Sequence, residues 1–188
     1  MRVTLRVACC GAQGTGRSPT ALALADALKV PYLPEFAIKL ATERHVDARE
    51  LRHRPEEYRL FETDVIEAQI AAEMQHPQGF VADRSVLDAM AYWSYWVTPY
   101  VDAAVNRTFR DRVLSYVDEH PYDVLVLPGD GESPDDADGA RTHDPLYQRT
   151  IQSRIVGIVL RHAGNAIVVR ASGDIPQRVA TVLRELES

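Results

Sequence analysis

Apolar positions along the chain fall into five short unbroken runs, separated by longer stretches in which apolar residues recur at helical spacing. Val3 to Cys10, rich in Val and Leu, reads as a buried strand that ends in the glycine loop GAQGTGRS. SPTALALADALKV then carries Ala and Leu at helical spacing, with Pro19 tolerated because it lies in the first turn. Val30 to Pro34 reads as a second short strand and delivers Glu35 at its end. From Phe36 to His76 the pattern is helical with a polar break at Val46 to Pro55. It is clearest over Pro55 to Gln75, where Tyr58, Phe61, Val65 and Ile66 share one side.

Phe80 to Ala82 predicts a third strand, closed at once by Asp83-Arg84-Ser85. Helices follow over Asp88 to Val97 and Val101 to Glu119, and His120-Pro121 stops the second. Tyr122 to Leu127 is apolar without alternation, as expected of a parallel strand covered on both faces. The segment PGDGESPDDADGARTHDP has no apolar periodicity and reads as a long loop of the kind that serves as a functional lid. A helix over Leu146 to His162, a strand over Ala166 to Ala171 and a helix over Ile175 to Leu186 complete the chain. Strands alternating with helices predict an α/β fold: one domain over residues 1–188, with a doubly wound five-stranded parallel sheet and a helical lid at about 129–149.

Composition agrees with a folded domain, since 188 residues with 46% hydrophobic and 26% charged residues can bury a proper core. No apolar run is long enough for a membrane span, and the start MRVTLRVACCGAQG lacks the pattern of a secretory signal, so the expectation is a cytoplasmic protein. A net charge of −6 argues against a constitutive basic groove for nucleic acid. Cys9 and Cys10 are adjacent, so they offer neither a loop-closing disulfide nor metal-ligand spacing, and they read as buried thiols.

The loop Gly11-Ala12-Gln13-Gly14-Thr15-Gly16-Arg17-Ser18 has the spacing of a phosphate-binding loop, with Arg17 where the pattern has lysine. Gly11, Gly14 and Gly16 let successive N–H groups point inward around a phosphate, assisted by the positive end of the following helix. Gln13, Thr15, Gly16, Arg17 and Ser18 are therefore the expected triphosphate-binding residues, and the Ser18 hydroxyl is placed to reach a Mg2+ ion bridging two phosphates. Arg17 would supply the charge that lysine usually gives, although a forked guanidinium is no simple replacement for an ammonium. Only Lys29 and Lys39 are lysines among 21 basic residues, so the chain has drifted toward arginine as a whole.

In open parallel sheets, ligands bind at the carboxyl ends of the strands. The residues there are Glu35, Asp83, Arg84, Gly129 and Asp130. Glu35 is placed to take the proton of an attacking hydroxyl, with capping of the next helix as the plainer use. Asp83 fits either a metal-bound water or the base itself, and Arg84 fits a substrate oxygen or the transferring phosphoryl group. Arg141 in the long loop reads as a cation closing over the phosphates; Arg149 and Arg154 are further candidates, and His143 reads as a surface residue. Tyr92, Trp93, Tyr95 and Trp96 are placed either to stack a ring or to pack a core, and Tyr58, Phe61 and Gln69 are candidates for a substrate wall.

With GAQGTGRS, Glu35, DRSVLDAMAYW and DGARTHD in order, nearly the whole chain resembles the small P-loop kinases of the nicotinamide ribonucleoside kinase and deoxynucleoside kinase type, an AAA-like P-loop nucleotide-binding domain. The resemblance implies that Glu35 is the base, that Asp83, Arg84 and Ser85 assist metal and substrate, and that Arg141 is the lid arginine. Related folds include bacteriophage kinases of nucleotides and of hydroxymethylated pyrimidines in DNA.

The expectation is an ATP- and Mg2+-dependent phosphotransferase acting on a hydroxyl of a nucleoside- or nucleotide-like small molecule. Glu35, Asp83, Arg84 and Arg141 would be catalytic, with Ser18 and Asp83 at the metal. A modified base within DNA is the alternative acceptor, for which Arg44, Arg49, Arg52, Arg54 and Arg59 offer a basic cluster. A nucleotide-binding regulatory module weakened by Arg17 is the alternative class. No membrane partner is expected, and the aromatic helix leaves a homodimer open.

Overall fold

The computed structural model describes residues 4–129 and 144–187, and of Arg49 only the backbone. Five strands, β1 (Arg6–Cys9), β2 (Tyr32–Leu33), β3 (Phe80–Asp83), β4 (Val124–Pro128) and β5 (Ile167–Ala171), form one sheet in the order β2-β3-β1-β4-β5. Every pairing in it is parallel. The helices are α1 (Arg17–Leu28), α2 (Phe36–Glu43), α3 (Ala48–Leu51), α4 (Pro55–Met74), α5 (Val86–Trp96), α6 (Ala103–Glu119), α7 (Pro145–His162) and α8 (Ile175–Glu187), with a 3-10 turn at Thr98–Tyr100. This is the α/β fold of P-loop kinases, with the chain crossing over from β1 past β3 to β2.

The apolar runs lack alternation because both faces of the sheet are covered. Val7, Cys9, Val81, Val124 and Val126 pack with Ala21 and Leu24 of α1 and Val182 of α8. Ala8, Cys10, Phe80, Ala82, Leu125 and Leu127 pack on the opposite side with α4, α5, α6 and α7. Side chains one residue apart thus feed two separate cores, and each strand is apolar throughout. Both cysteines are buried here and free, and burial raises both thiols well above their ordinary pKa.

Except for β3, the strands are shorter than the apolar runs that predict them. Val30 and Pro31 lie outside β2, which keeps two residues, and β3 extends one residue further, through Asp83. Helix α5 starts at Val86, two residues before the expected Asp88. Ser85 and Asp88 form a reciprocal capping box there, a signal written as S-x-x-D in the sequence. The helical pattern from Phe36 is realised first as the short α2, the polar break at Val46 to Pro55 contains the short α3, and the long α4 follows. Of the expected lid at about 129–149, residues 130–143 lie outside the described residues, and 145–149 form the first turns of α7. No helix among the described residues is long and apolar enough to cross a membrane.

Candidate active site

Residues 10–16 join β1 to α1 at the carboxyl edge of the sheet, and their backbone is held from three directions. Asp88 accepts from Gly11 N at 2.8 Å, Gln152 of α7 accepts from Ala12 N at 2.7 Å, and Gln148 donates to the Gln13 carbonyl at 2.9 Å. Below the loop, Arg178 of α8 donates to the Thr15 carbonyl at 2.8 Å. Gly16 has φ 71°, so this position favours glycine on conformational grounds, and a Cβ there would lie 2.7 Å from an Arg178 nitrogen and push that side chain aside. Among the described residues, the N–H groups of residues 13–16 make no hydrogen bond, which leaves a concave row of donors next to the N-terminus of α1.

Glu35, Asp83 and Arg84 stand beside this loop, as expected of residues ending β2 and β3. They meet around Arg17, whose side chain is 4% exposed. Its Nε donates to Asp83, one terminal nitrogen to the Gly11 carbonyl, and the other to Glu35. Glu35 is also ion-paired with Arg84 at 2.8 Å, and Arg84 in turn donates to the Tyr92 hydroxyl at 2.9 Å while lying over that ring. Tyr32 donates to the second Asp83 oxygen at 3.2 Å. Burial opposes ionisation of Asp83, but Arg17, the Ser18 hydroxyl and Arg84 outweigh it and hold the carboxyl below its ordinary pKa.

Arg84 has φ 99°, unusual for a residue with a side chain, and such a backbone costs on the order of 1–3 kcal/mol unless its surroundings enforce it. Here they do. Arg84 N donates to the Cys9 carbonyl at 3.1 Å, and Gln69 donates to the Arg84 carbonyl at 2.7 Å.

A cavity of about 660 Å3 opens beside the cluster, bounded by α2, the segment around α3 and the first turns of α4. Its polar lining includes Gln13, Glu35, Arg84, Arg52 and Glu62, and its aromatic walls are Tyr58, Phe61 and Tyr92. Glu62 is buried among them. Burial raises its pKa, against the opposing effects of the Tyr58 hydroxyl, Arg84 and Arg52.

The expected wall residues Tyr58 and Phe61 are therefore in place, whereas Gln69 lies behind Arg84 and holds its carbonyl. Of the aromatic set, Tyr92 serves the cavity, but Trp93 stacks on Phe109 at 3.7 Å and Trp96 donates to the Tyr147 hydroxyl at 2.9 Å. Arg154 donates to Ser94 at 2.8 Å and covers Tyr95 instead of the phosphate loop, and Arg149 is exposed. The basic cluster is largely neutralised. Arg44 pairs with Asp64 at 2.8 Å, Arg54 with Glu57 at 2.7 Å and Arg59 with Glu56 at 2.5 Å, while Arg52 turns onto Trp96 and Tyr147. Asp130, Arg141 and His143 lie outside the described residues.

Sequence reasoning missed Asp88, Gln148, Gln152, Arg178 and Glu62. Asp88 was legible as the fourth residue of a capping box, and Glu62 as a carboxylate on an otherwise apolar helix face. The two glutamines and Arg178 carry no such local signal, because they act across more than 130 positions of sequence.

The residues present fit a magnesium nucleotide. The Ser18 hydroxyl is close enough to the Asp83 carboxylate to help lower its pKa, so two hard oxygen donors neighbour each other at the mouth of the phosphate loop. Among the described residues no group of three His, Cys, Asp or Glu side chains gathers, so an ion there would draw further ligands from phosphate oxygens and water.

The model of a family described as "AAA domain" matches residues 6–178. No curated protein matches the sequence. Among solved structures, deoxyadenosine kinase from M. mycoides with bound dATP is 13% identical at a TM-score of 0.66, covering 98% of this chain and all of the kinase. The NadR protein in complex with NR is 14% identical at a TM-score of 0.73, and the match covers 98% of this chain but 52% of NadR. Thymidylate kinase from Ehrlichia chaffeensis is 13% identical at a TM-score of 0.60, covering 97% of this chain and 98% of that one. At these identities the likeness is one of fold.

Proposed function

Because this chain belongs to the AAA domain family and has the fold of P-loop kinases, we propose that it moves the terminal phosphate of ATP to a hydroxyl of a nucleoside- or nucleotide-like small molecule. The observation that carries this reading is the juxtaposition of the phosphate loop with Glu35, Asp83 and Arg84 at the edge of a cavity large enough for such an acceptor. Donor phosphates lie in the row of N–H groups at residues 13–16. Ser18 and Asp83 would hold a Mg2+ ion, which would supply charge neutralisation on the phosphate oxygens. Glu35 accepts the proton of the attacking hydroxyl, and Arg84 stabilises charge developing on the transferring group. Tyr58, Phe61 and Tyr92 hold the flat part of the acceptor, and Arg141 is the expected further cation. The chain's contribution is positioning and electrostatics.

The test is transfer of labelled γ-phosphate from MgATP to a panel of nucleosides, nucleotides, nicotinamide riboside, and plain and hydroxymethylated DNA, with Glu35→Gln as control. Label on one small molecule, lost in the variant, is the expected result. Label on DNA alone moves the acceptor to a base in a polymer, and no label on any acceptor overturns the kinase reading. A second reading, nucleotide binding without transfer, is favoured by the engagement of Arg17 with both carboxylates. Tight ATP binding with no transfer would select it.

A further inference from the structure

Arg17 occupies the loop position that the phosphate-binding pattern gives to lysine, yet two of its three hydrogen bonds run across the site to the carboxylates Asp83 and Glu35. Each of its three nitrogens donates to the protein, two of them to carboxylates that end different strands. We infer that Arg17 is a positioning residue for the acceptor half of the site, fixing Glu35 and Asp83 against each other, and that MgATP affinity rests on the loop backbone and the start of α1. The inference rests on the phosphotransferase reading above.

Three observations support it. A planar fork can meet two carboxylates and a carbonyl at once, whereas a lysine ammonium on a flexible stem acts as a single point charge. Arg17 also sits in the middle of a chain of alternating charge, Asp83–Arg17–Glu35–Arg84, which ends on the Tyr92 hydroxyl. Withdrawing its guanidinium toward a phosphate would leave Asp83, 3% exposed, without its nearest counter-ion and would set Glu35 against Arg84 alone. Finally, the N–H row at residues 13–16 has no hydrogen-bond partner among the described residues and is braced from below by Arg178 at Thr15, so the loop offers an anion site without the Arg17 side chain.

The experiment compares the full chain with Arg17→Met and Arg17→Lys, measuring MgATP binding by calorimetry and transfer of labelled phosphate to the acceptor found above. In Arg17→Met the Kd for MgATP is expected to rise less than about tenfold, the loss that removal of one charge-assisted hydrogen bond to phosphate would bring. Transfer in the same variant is expected to fall by at least about 100-fold. A larger rise in Kd overturns the inference.

Should Arg17→Met fail to fold, Arg17→Lys decides. Lysine restores the charge that serves phosphates but cannot bridge both carboxylates, so transfer is expected to fall about tenfold or more with ATP affinity retained. Transfer equal to or faster than that of the unchanged chain overturns the inference. If the unchanged chain labels no acceptor, the kinase reading falls, while the calorimetric Kd for MgATP still judges Arg17, and a rise beyond about tenfold in both variants overturns the inference.

Discussion

Two buried carboxylate clusters flank the same strands, one at each edge of the sheet, and they use similar groups to opposite ends. At the amino edge Glu73 is 0% exposed and accepts from Gln69 at 2.9 Å, Tyr122 at 2.8 Å, Tyr116 at 2.8 Å and Arg6 at 3.2 Å. Every lone-pair direction of that carboxylate is taken by the protein. Glu35 and Asp83 at the carboxyl edge also meet arginines, but Glu35 borders a cavity of about 660 Å3, and both stand beside the phosphate loop, whose N–H row at residues 13–16 is free among the described residues. A closed cluster stabilises; one that opens on a cavity is available for chemistry. The two are linked, since Gln69 donates both to Glu73 and to the Arg84 carbonyl, and the Tyr122 hydroxyl both donates to Glu73 and accepts from Val86 N.

The comparison breaks first at Glu35. Glu35→Gln is expected to lower phosphate transfer by about 10²–10⁴-fold, the usual contribution of a general base, while the protein stays folded at 25 °C. Label transfer and circular dichroism on the same preparation check this. A variant with full transfer would remove Glu35 from the chemistry.

Arg6→Met at the other edge is expected to do the reverse. Loss of the cation from a buried carboxylate costs about 3 kcal/mol, toward the lower end for a broken buried pair because three neutral donors to Glu73 remain. Urea unfolding measures the cost, and transfer by the folded fraction is expected to stay within about threefold of wild type, as for a site that is distant from the chemistry.

The pKa directions sharpen the contrast. Asp83 is held below its ordinary value, with burial opposing and Arg17, Ser18 and Arg84 prevailing. Its ionisation therefore contributes stability above the unfolded value that is lost as pH falls through the lower folded value. Burial raises Glu73 despite the opposing effect of its four partners. Its contribution is full below the unfolded value and is lost as pH rises through the raised folded one. Relative to wild type, Asp83→Asn should therefore cost less stability as pH falls below about 4, and Glu73→Gln should cost less as pH climbs above that point. Unfolding free energies at pH 3, 4, 5 and 7 test for slopes of opposite sign, and parallel slopes would contradict the assignment.

The smallest effect belongs to the braces of the loop. Gln152→Leu removes the acceptor from Ala12 N, and Gln148→Leu the donor to the Gln13 carbonyl. Each is expected to weaken MgATP binding by about three- to tenfold, the worth of a neutral hydrogen bond acting through loop order. Calorimetry reads it directly, and unchanged affinity in both would show that the loop holds its shape without α7.

Local chemistry in the sequence was enough to place the strands, the glycine loop, most helices and the residues at strand ends, because hydrophobic periodicity and turn residues act over a few positions. It determined that Glu35, Asp83 and Arg84 would gather near Gly11–Ser18, since a parallel sheet brings the ends of its strands to one edge. Only the tertiary structure decided which partner each charge takes. Arg17 belongs to the phosphate-loop motif in sequence but to the carboxylates in space, and Arg154 is drawn to Ser94. Gln148, Gln152 and Arg178 reach the loop from the far end of the chain. The direction of a long side chain depends on the distance and burial of groups remote in sequence, and no pattern along the chain encodes that distance.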